Sequence, residues 1–321
     1  MKTLKKPVFI SLLLCLCLGI CACSNSADPK TVSIGLLSID DSLPFFVAQE
    51  EGFFTERNVD VNLVQFGSAK DKETALEAGQ LDGDMTDLIV AALLKKGDTD
   101  IRVVSFALGA TPAEGRFVIL ASPNSDISSI EDLKGVPIAV GNNTIVHYVA
   151  EKVAMMNGFS DSEIQTLNIP DLSLRLETML SGKDVLACVL PDPLASLAIS
   201  LGAKSIVDDT TLDVNLSQSI VLFRKDSIDT KSEEIQKVMD AYFAAMVFIN
   251  DPANADKVKE YQLQFTNIPP SLQTDYPVPT YTPNAIPDES MIDEVQAWMV
   301  SKGLLEEAYS YDQLIDSRFI K

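Results

Sequence analysis

Polar side chains that could bind a small molecule follow the ends of four predicted strands. They are Ser38, Ile39 and Asp40 after the first strand, Thr86 and Asp87 after the third, Asn142, Asn143 and Thr144 after the first strand of a second unit, and Asp192 after a later buried strand. Each loop opens a predicted helix, and the unpaired backbone N–H groups of a helix start attract anions. The aspartates argue instead for a cation or an amine-bearing heterocycle. The charge of a ligand is therefore left open by these residues.

Ordinary helix capping is the competing interpretation of the same loops. Ser42, Thr86, Asp87 and Thr144 each precede a predicted helix, where hydroxyl and carboxylate oxygens accept hydrogen bonds from backbone N–H groups without any ligand. Asp40 and Asp192 are less easily explained as caps. A tightly held anion also favours a bidentate arginine, and none occurs in these loops.

Other residues that carry chemistry are scarce. His147 is the only histidine, one turn into the helix opened by residues 142–144, so no metal cluster and no Ser–His–Asp set is expected. Phe45 is mainly a core candidate that could also stack on a ligand ring. Cys188 lies in an apolar run and is predicted to be a small core residue rather than a nucleophile. We expect no cofactor, no metal and no catalytic residue.

The elements that must position these residues alternate between strands and helices. Residues 32–37 form a short apolar run, residues 59–66 alternate apolar and polar side chains, and glycines close the intervening helical segments. This order predicts α/β sheets that are largely parallel. The length of 321 residues favours two domains. We predict a first lobe from residues 31–122 and 218–321, with a second lobe, 123–217, inserted into it.

The charge balance restricts the partners. The chain has 46 acidic and 25 basic side chains, a formal net charge of −21, so nucleic acid and electrostatic docking on an anionic membrane are both disfavoured. A hydrophobic content of 46% is ample for a core and excludes a disordered chain.

The N-terminus nevertheless predicts membrane attachment. Three lysines within residues 1–6 precede an apolar stretch over residues 7–22, which is short for a bilayer span and typical of a signal peptide. A single transmembrane anchor is the alternative. The run Ile20-Cys21-Ala22-Cys23 resembles a bacterial lipobox. It implies a lipoprotein signal peptide over residues 1–22, lipidation of Cys23, a tether over residues 23–30, and a protein held on the extracytoplasmic face of the cell membrane.

Five ordered motifs resemble one protein family. Residues 44–54 read P-F-F-V-A-Q-E-E-G-F-F, similar to the P-x-x-x-A-x-x-x-G-F-F signature of the substrate-binding proteins of nitrate/sulfonate/taurine-type ABC transporters, the NMT1/THI5-like group. The other motifs that carry the resemblance lie in residues 75–82, 129–135, 182–203 and 298–305. The resemblance therefore extends over most of the chain.

The resemblance implies a type II periplasmic-binding-protein fold, in which two α/β lobes joined by a hinge close on a ligand in the cleft between them. It implies a monomer that delivers its ligand to ABC permease subunits. The ligand would be of the sulfonate or nitrate type, or a cationic heterocycle such as a thiamine precursor. No Walker motif is present, so ATP hydrolysis is not expected of this chain.

Two other functions remain open at this point. A ligand-sensing surface lipoprotein would have the same sequence features. A pyrimidine-synthase-like enzyme of the same fold would need a cofactor-binding lysine and a reactive histidine in the cleft, and would act in the cytoplasm. The export signal and the lysine-poor loops count against that enzyme, so we predict a binding protein without catalytic activity.

Overall fold

The computed structural model describes residues 30–216 and 218–321. The predicted signal peptide, Cys23 and nearly all of the tether lie outside the described residues. Within the described ranges, every helix is too short or too polar to cross a bilayer.

The described chain alternates strands and helices along most of its length. The strands are β1 Val32–Leu37, β2 Val61–Phe66, β3 Gly83–Asp87, β4 Ile101–Leu108, β5 Phe117–Ala121, β6 Pro137–Val140, β7 Gln165–Asn168, β8 Ala187–Pro191, β9 Lys204–Asp208 and β10 Ser219–Arg224. The helices are α1 Leu43–Glu50, α2 Phe53–Glu56, α3 Ala69–Glu77, α4 Leu88–Lys96, α5 Ile145–Met156, α6 Leu172–Ser181, α7 Leu194–Ser200, α8 Lys225–Thr230, α9 Ser232–Asn250, α10 Ala255–Phe265, α11 Glu289–Ser301 and α12 Tyr311–Leu314. Short 3-10 turns lie at Asp40–Ser42, Glu131–Leu133, Asp209–Thr211, Pro252–Asn254 and Ser317–Phe319.

The two sheets repeat one topology. The strand orders are β2-β1-β3-β10-β4 and β7-β6-β8-β5-β9. In each sheet the fourth strand in this order, β10 or β5, runs antiparallel to both neighbours, while the first three strands are parallel. The chain crosses between the sheets twice, between β4 and β5 and between β9 and β10. These two crossovers are the connections at which the lobes can hinge. The predicted fold of two α/β lobes is confirmed.

The structure corrects the predicted boundary between the lobes. Residues 117–121, assigned from sequence to the first lobe, form β5, which pairs with β8 and β9 in the second sheet. The chain therefore leaves the first lobe between Leu108 and Phe117. Both β4 and β5 are buried apolar runs, so their sequences carry no signal of which sheet each one joins.

Helices α9 and α10 return to the first lobe and pack against α1. Phe45 of α1 is fully buried and packs on Tyr242 of α9, with ring centroids 4.3 Å apart. Phe46 stacks on Phe265 of α10 with centroids 4.6 Å apart. Phe45 and Phe46 thus form core, and their contacts with α9 and α10 fix α1 directly after the loop at the end of β1.

Candidate ligand-binding site

A cavity of about 470 Å³ lies between the two lobes. Its volume is in the range of pockets that bind small molecules. The wall from the first lobe comprises one side of α3, one side of α4 and the ends of β1 and β3. The opposite wall includes the loop before α5, the start of α5 and Arg175. The carboxyl ends of parallel strands from both sheets therefore meet at this cavity, as expected for ligand sites in α/β folds.

Six of the ten residues predicted to bind ligand line this cavity. They are Ile39, Thr86, Asp87, Asn142, Asn143 and Thr144. They come from three segments that are far apart in sequence, and the fold brings these segments together at one cleft. Ligand contact by these residues stays a prediction.

The other four predicted residues, Ser38, Asp40, Phe45 and Asp192, do not line the cavity. Ser38 accepts a hydrogen bond from the Gln65 amide on the neighbouring strand, at 3.2 Å. Phe45 points into the core, because α1 turns that face toward α9.

Asp40 belongs to a buried network outside the cavity. Its carboxyl group accepts hydrogen bonds from the Gln262 amide, at 2.9 Å, and from the Tyr276 hydroxyl. The Tyr281 hydroxyl donates to its backbone carbonyl at 2.7 Å. Burial raises the pKa of Asp40 to about 7, against the lowering effect of the two side-chain hydrogen bonds. The segment that supplies Tyr276 and Tyr281 covers Asp40, so the Asp40 side chain does not reach the cleft.

Asp192 is held at the hinge instead. It forms an ion pair with Arg116 at 3.1 Å and accepts a hydrogen bond from the Ser196 backbone N–H at 2.9 Å. Arg116 also pairs with Asp208, at 2.7 Å. Arg116 ends the first crossover and Asp208 precedes the second, so this ion-pair network ties together the two segments that connect the lobes.

Lys72 of α3 is the buried cation of the first-lobe wall, and the exposed Lys70 of the same helix also lines the cavity. Its side chain is 1% exposed and forms ion pairs with Asp84 and, at 2.9 Å, with Glu73. Burial alone lowers the pKa of Lys72, but the two carboxylates raise it above the ordinary lysine value, so the ammonium stays protonated. The Thr86 hydroxyl donates to Glu73 at 3.0 Å and extends the network to the cavity surface.

Gly35 of β1 makes room for Lys72. A Cβ atom at residue 35 would lie 2.9 Å from the lysine side chain, closer than packed carbon atoms approach. A glycine inside an apolar strand indicates such a close approach, so Gly35 was the available sequence signal for a buried neighbour. Lys72 itself lies in a helix with many charged residues, which looks solvent-exposed in the sequence.

Asp41 adds a second type of group to the first-lobe wall. It lines the cavity, is 6% exposed, and accepts a hydrogen bond from the Ser219 hydroxyl. Burial raises the pKa of Asp41 above the ordinary aspartate value. No cation lies within ion-pair distance of Asp41 in the described part of the chain.

Arg175 of α6 is the cation of the second-lobe wall, and the sequence did not reveal it. The side chain is 2% exposed, and its guanidinium donates to the backbone carbonyls of Ile169, Val189 and Pro170 at 2.8, 3.0 and 3.3 Å. Burial lowers the pKa of Arg175 to about 10, still well above neutral pH. Among the described residues no carboxylate lies within ion-pair distance. A buried positive charge without an anionic partner therefore faces the cavity.

Asp87 connects the two lobes at the cavity surface. One carboxylate oxygen accepts a hydrogen bond from the Val90 N–H in its own helix, α4, at 2.9 Å. The other accepts from the Ile145 N–H at the start of α5 in the second lobe, also at 2.9 Å. Burial raises the pKa of Asp87 to about 6, against the lowering effect of both N–H groups.

His147 lies beside the cavity loop but does not line the cavity. Its Nδ1 atom accepts a hydrogen bond from the Asn143 N–H at 3.1 Å, so Nε2 carries the hydrogen that is donated to Glu151 at 3.0 Å. Glu151 also accepts from Trp298 Nε1, at 2.9 Å, and pairs with Lys302 at 2.9 Å. His147 thus belongs to a contact between α5 and α11. The described residues contain no group of three His, Cys, Asp or Glu side chains that could hold a metal ion.

Comparisons with known proteins agree with this architecture. The ligand-binding component of an ABC-type import system from Staphylococcus aureus, solved with zinc bound, has a TM-score of 0.76 at 15% identity, covering 90% of this chain and 97% of that chain. The alkanesulfonate-binding protein SsuA from Xanthomonas axonopodis pv. citri, solved with MOPS bound, has a TM-score of 0.73 at 18% identity, covering 90% and 99%. The desulfurization enzyme DSZB has a TM-score of 0.63 at 16% identity, covering 90% and 97%.

These identities are low, so the solved structures show a shared fold, the periplasmic-binding-protein fold. No curated protein matches the sequence. The profile of the NMT1-like family, however, matches residues 25–262, well over half of the chain. The chain belongs to the NMT1-like family.

Proposed function

We propose that the protein is a solute-binding protein that captures a small molecule in the cavity between its lobes and delivers it to the permease subunits of an ABC importer. The observation that carries this proposal is the cavity of about 470 Å³, whose two walls come from lobes joined by two crossovers. Hinge motion at such crossovers opens and closes a cleft. Two of the similar structures are named as binding components of import or sulfonate-binding systems, which supports the proposal.

The proposal includes attachment to the extracytoplasmic face of the cell membrane through a lipid on Cys23. The lipobox-like run supports it, and so does the charge of the chain. A net charge of −21 would repel the folded body from an anionic membrane, so a covalent anchor is the means of keeping it there. We expect the binding unit to act as a monomer, because the cavity is formed within one chain.

The cavity is lined by groups that suit each of the two ligand classes expected from the sequence. Arg175 and the helix start at α5 favour an anionic group of the sulfonate or nitrate type against the second lobe. Asp41 and Asp87 favour the amino or ring N–H groups of a cationic heterocycle, such as a thiamine precursor, against the first lobe. A sensing lipoprotein that presents the same ligand to a receptor would use the same cavity.

An enzymatic function is less well supported by the cavity. A lysine that forms a Schiff base must lose its proton, whereas Asp84 and Glu73 hold Lys72 in the protonated form. His147 is the chain's one histidine, and its ring nitrogens are engaged by Asn143 and Glu151 outside the cavity.

A thermal-shift screen followed by uptake measurements tests the proposed function. The panel comprises sulfonates, nitrate, taurine, thiamine precursors, riboflavin and polyamines. A ligand at a hundredfold excess over its Kd stabilises the protein by about 2.7 kcal/mol. Cells that lack the protein should lose uptake of the stabilising compound, and Cys23→Ser should reduce uptake without reducing affinity. Normal uptake in the deletion strain would contradict the transport role and favour the sensor.

A further inference from the structure

Asp87 accepts one backbone hydrogen bond from each lobe. As the N-cap of α4 it satisfies the Val90 N–H within the first lobe, at 2.9 Å. Its second oxygen satisfies the Ile145 N–H, which belongs to the first residue of α5 in the second lobe, at 2.9 Å. One buried carboxylate, 5% exposed, therefore caps a helix from each lobe.

The bond to Ile145 acts directly on the ligand-facing loop of the second lobe. Residues 142–144 line the cavity and are joined to Ile145 without a break. The loop is held firmly within its own lobe, because the Thr144 hydroxyl donates to the Gly141 carbonyl at 2.7 Å and the Asn142 N–H donates to the Asn168 side chain at 3.0 Å. The Asp87–Ile145 bond is thus the contact with the first lobe that acts at the cavity loop itself, while Glu151 further along α5 is bound by Trp298 and Lys302.

The helix start at α5 lacks a cap of its own. Thr144 occupies the N-cap position, but its side chain accepts no hydrogen bond from the helix and donates to Gly141 instead. When the lobes separate, the Ile145 N–H must exchange Asp87 for water, while Val90 keeps its bond. The closed arrangement is therefore favoured by a hydrogen bond to a charged group, which contributes more than a bond between neutral groups.

We propose that Asp87 is a positioning residue of the cleft: its shared cap sets the closed placement of the two lobes, and the Asp87–Ile145 bond must break for a ligand to enter or leave. This inference rests on the proposed function, since it assigns a role in closing the same cavity. It is distinct from a role in contacting the ligand.

Asp87→Asn separates the two roles of the residue. The asparagine Oδ1 can still cap α4 at Val90, whereas its NH2 group is a donor and cannot accept from the Ile145 N–H. In amide-resolved hydrogen exchange on the full chain without ligand, we expect the Ile145 amide to exchange roughly ten- to hundredfold faster than in the wild type. The Val90 amide should stay protected. The radius of gyration from small-angle scattering should increase.

Ile145→Pro removes the donor and leaves Asp87 intact, which keeps the test valid if Asp87→Asn fails to fold. Proline is favoured at the first position of a helix, and Thr144 has the extended backbone, φ −128° and ψ 175°, that a residue before proline requires. We expect the same increase in radius of gyration. Ile145→Ala shortens the side chain but retains the N–H, and should leave the radius unchanged.

Asp288→Asn is the control for loss of a capping carboxylate, because Asp288 caps α11 alone, at Met291, and is exposed. It should leave both amides and the radius unchanged. Unchanged Ile145 exchange in Asp87→Asn would overturn the shared cap. Faster Ile145 exchange in Asp87→Asn, together with an unchanged radius of gyration in both Asp87→Asn and Ile145→Pro, would overturn the positioning role. Neither readout uses a ligand, so a failed ligand screen would contradict the proposed function without affecting this result.

Discussion

The two walls of the cavity handle buried charge in different ways. In the first lobe the Lys72 ammonium is paired with Asp84 and Glu73, so the positive charge is neutralised by its own lobe. In the second lobe the hydrogen-bond partners of Arg175 among the described residues are backbone carbonyls. A buried charge without a counterion is costly, and a ligand that brings the missing negative charge recovers part of that cost. The buried cation of the first wall therefore serves mainly stability, whereas the buried cation of the second wall is available for a ligand.

The largest expected effect comes from breaking the neutralised wall. Lys72→Met leaves two carboxylates buried without their cation, and removal of one partner of a buried pair costs about 3–5 kcal/mol of the free energy of unfolding. Urea denaturation of the two proteins measures it. Lys70→Met, an exposed lysine two residues earlier in the same helix, is the matched control and should cost less than about 0.5 kcal/mol. Similar losses in both variants would contradict the buried-pair account.

A somewhat smaller loss of stability is expected from the second wall. Arg175→Met removes hydrogen bonds to three backbone carbonyls, of which the bond to Val189 is buried, and should cost about 3 kcal/mol. The same change should weaken binding of an anionic ligand at least tenfold and leave a cationic one unaffected or tighter. Titration calorimetry with the compound found in the screen checks the binding. Unchanged affinity for an anion would remove Arg175 from the site.

The smallest expected effect is the contribution of Asp40 to the pH dependence of stability. Asp40 lies outside both cavity walls, and its carboxyl group is bound by Gln262 and Tyr276. Because its folded pKa of about 7 exceeds the unfolded value, the folded state binds more protons, and stability falls as pH rises toward 7. Asp40 should contribute a loss of at most roughly 2 kcal/mol between about pH 5.5 and pH 7. Asp40→Asn should flatten this part of the pH profile of the unfolding free energy. An identical slope in the variant would contradict the buried, protonated assignment.

The sequence predicted the parts of the site that depend on local patterns, such as the alternation of strands and helices. The alternation of strands and helices predicted the α/β lobes, and the end of β3 and the loop after β6 supplied five of the six predicted residues that line the cavity. This prediction succeeded because the carboxyl ends of parallel strands meet at one edge of a sheet. All of β5 was assigned to the wrong lobe because strand pairing is non-local.

The remaining site residues depend on contacts distant in sequence. Tyr276 and Tyr281 cover Asp40 from a segment more than 230 residues later, and no pattern near Asp40 indicates it. Lys72 and Arg175 lie within helices, where charged side chains are usually exposed, and only the tertiary fold turns them toward the cavity. The cationic part of the site was therefore not predictable from loops alone.

The most direct test of ligand capture between the lobes is a thermal-shift measurement with and without a side chain that fills the cavity. Ala69→Trp places an indole in the cavity at the first residue of α3. Ala78→Trp places the same group at the exposed C-terminal end of α3, at a residue that does not line the cavity. The account predicts that a compound from the panel raises the Tm of the wild type and of Ala78→Trp, and fails to raise that of Ala69→Trp. Equal stabilisation of all three proteins would place binding outside the cavity and contradict the account.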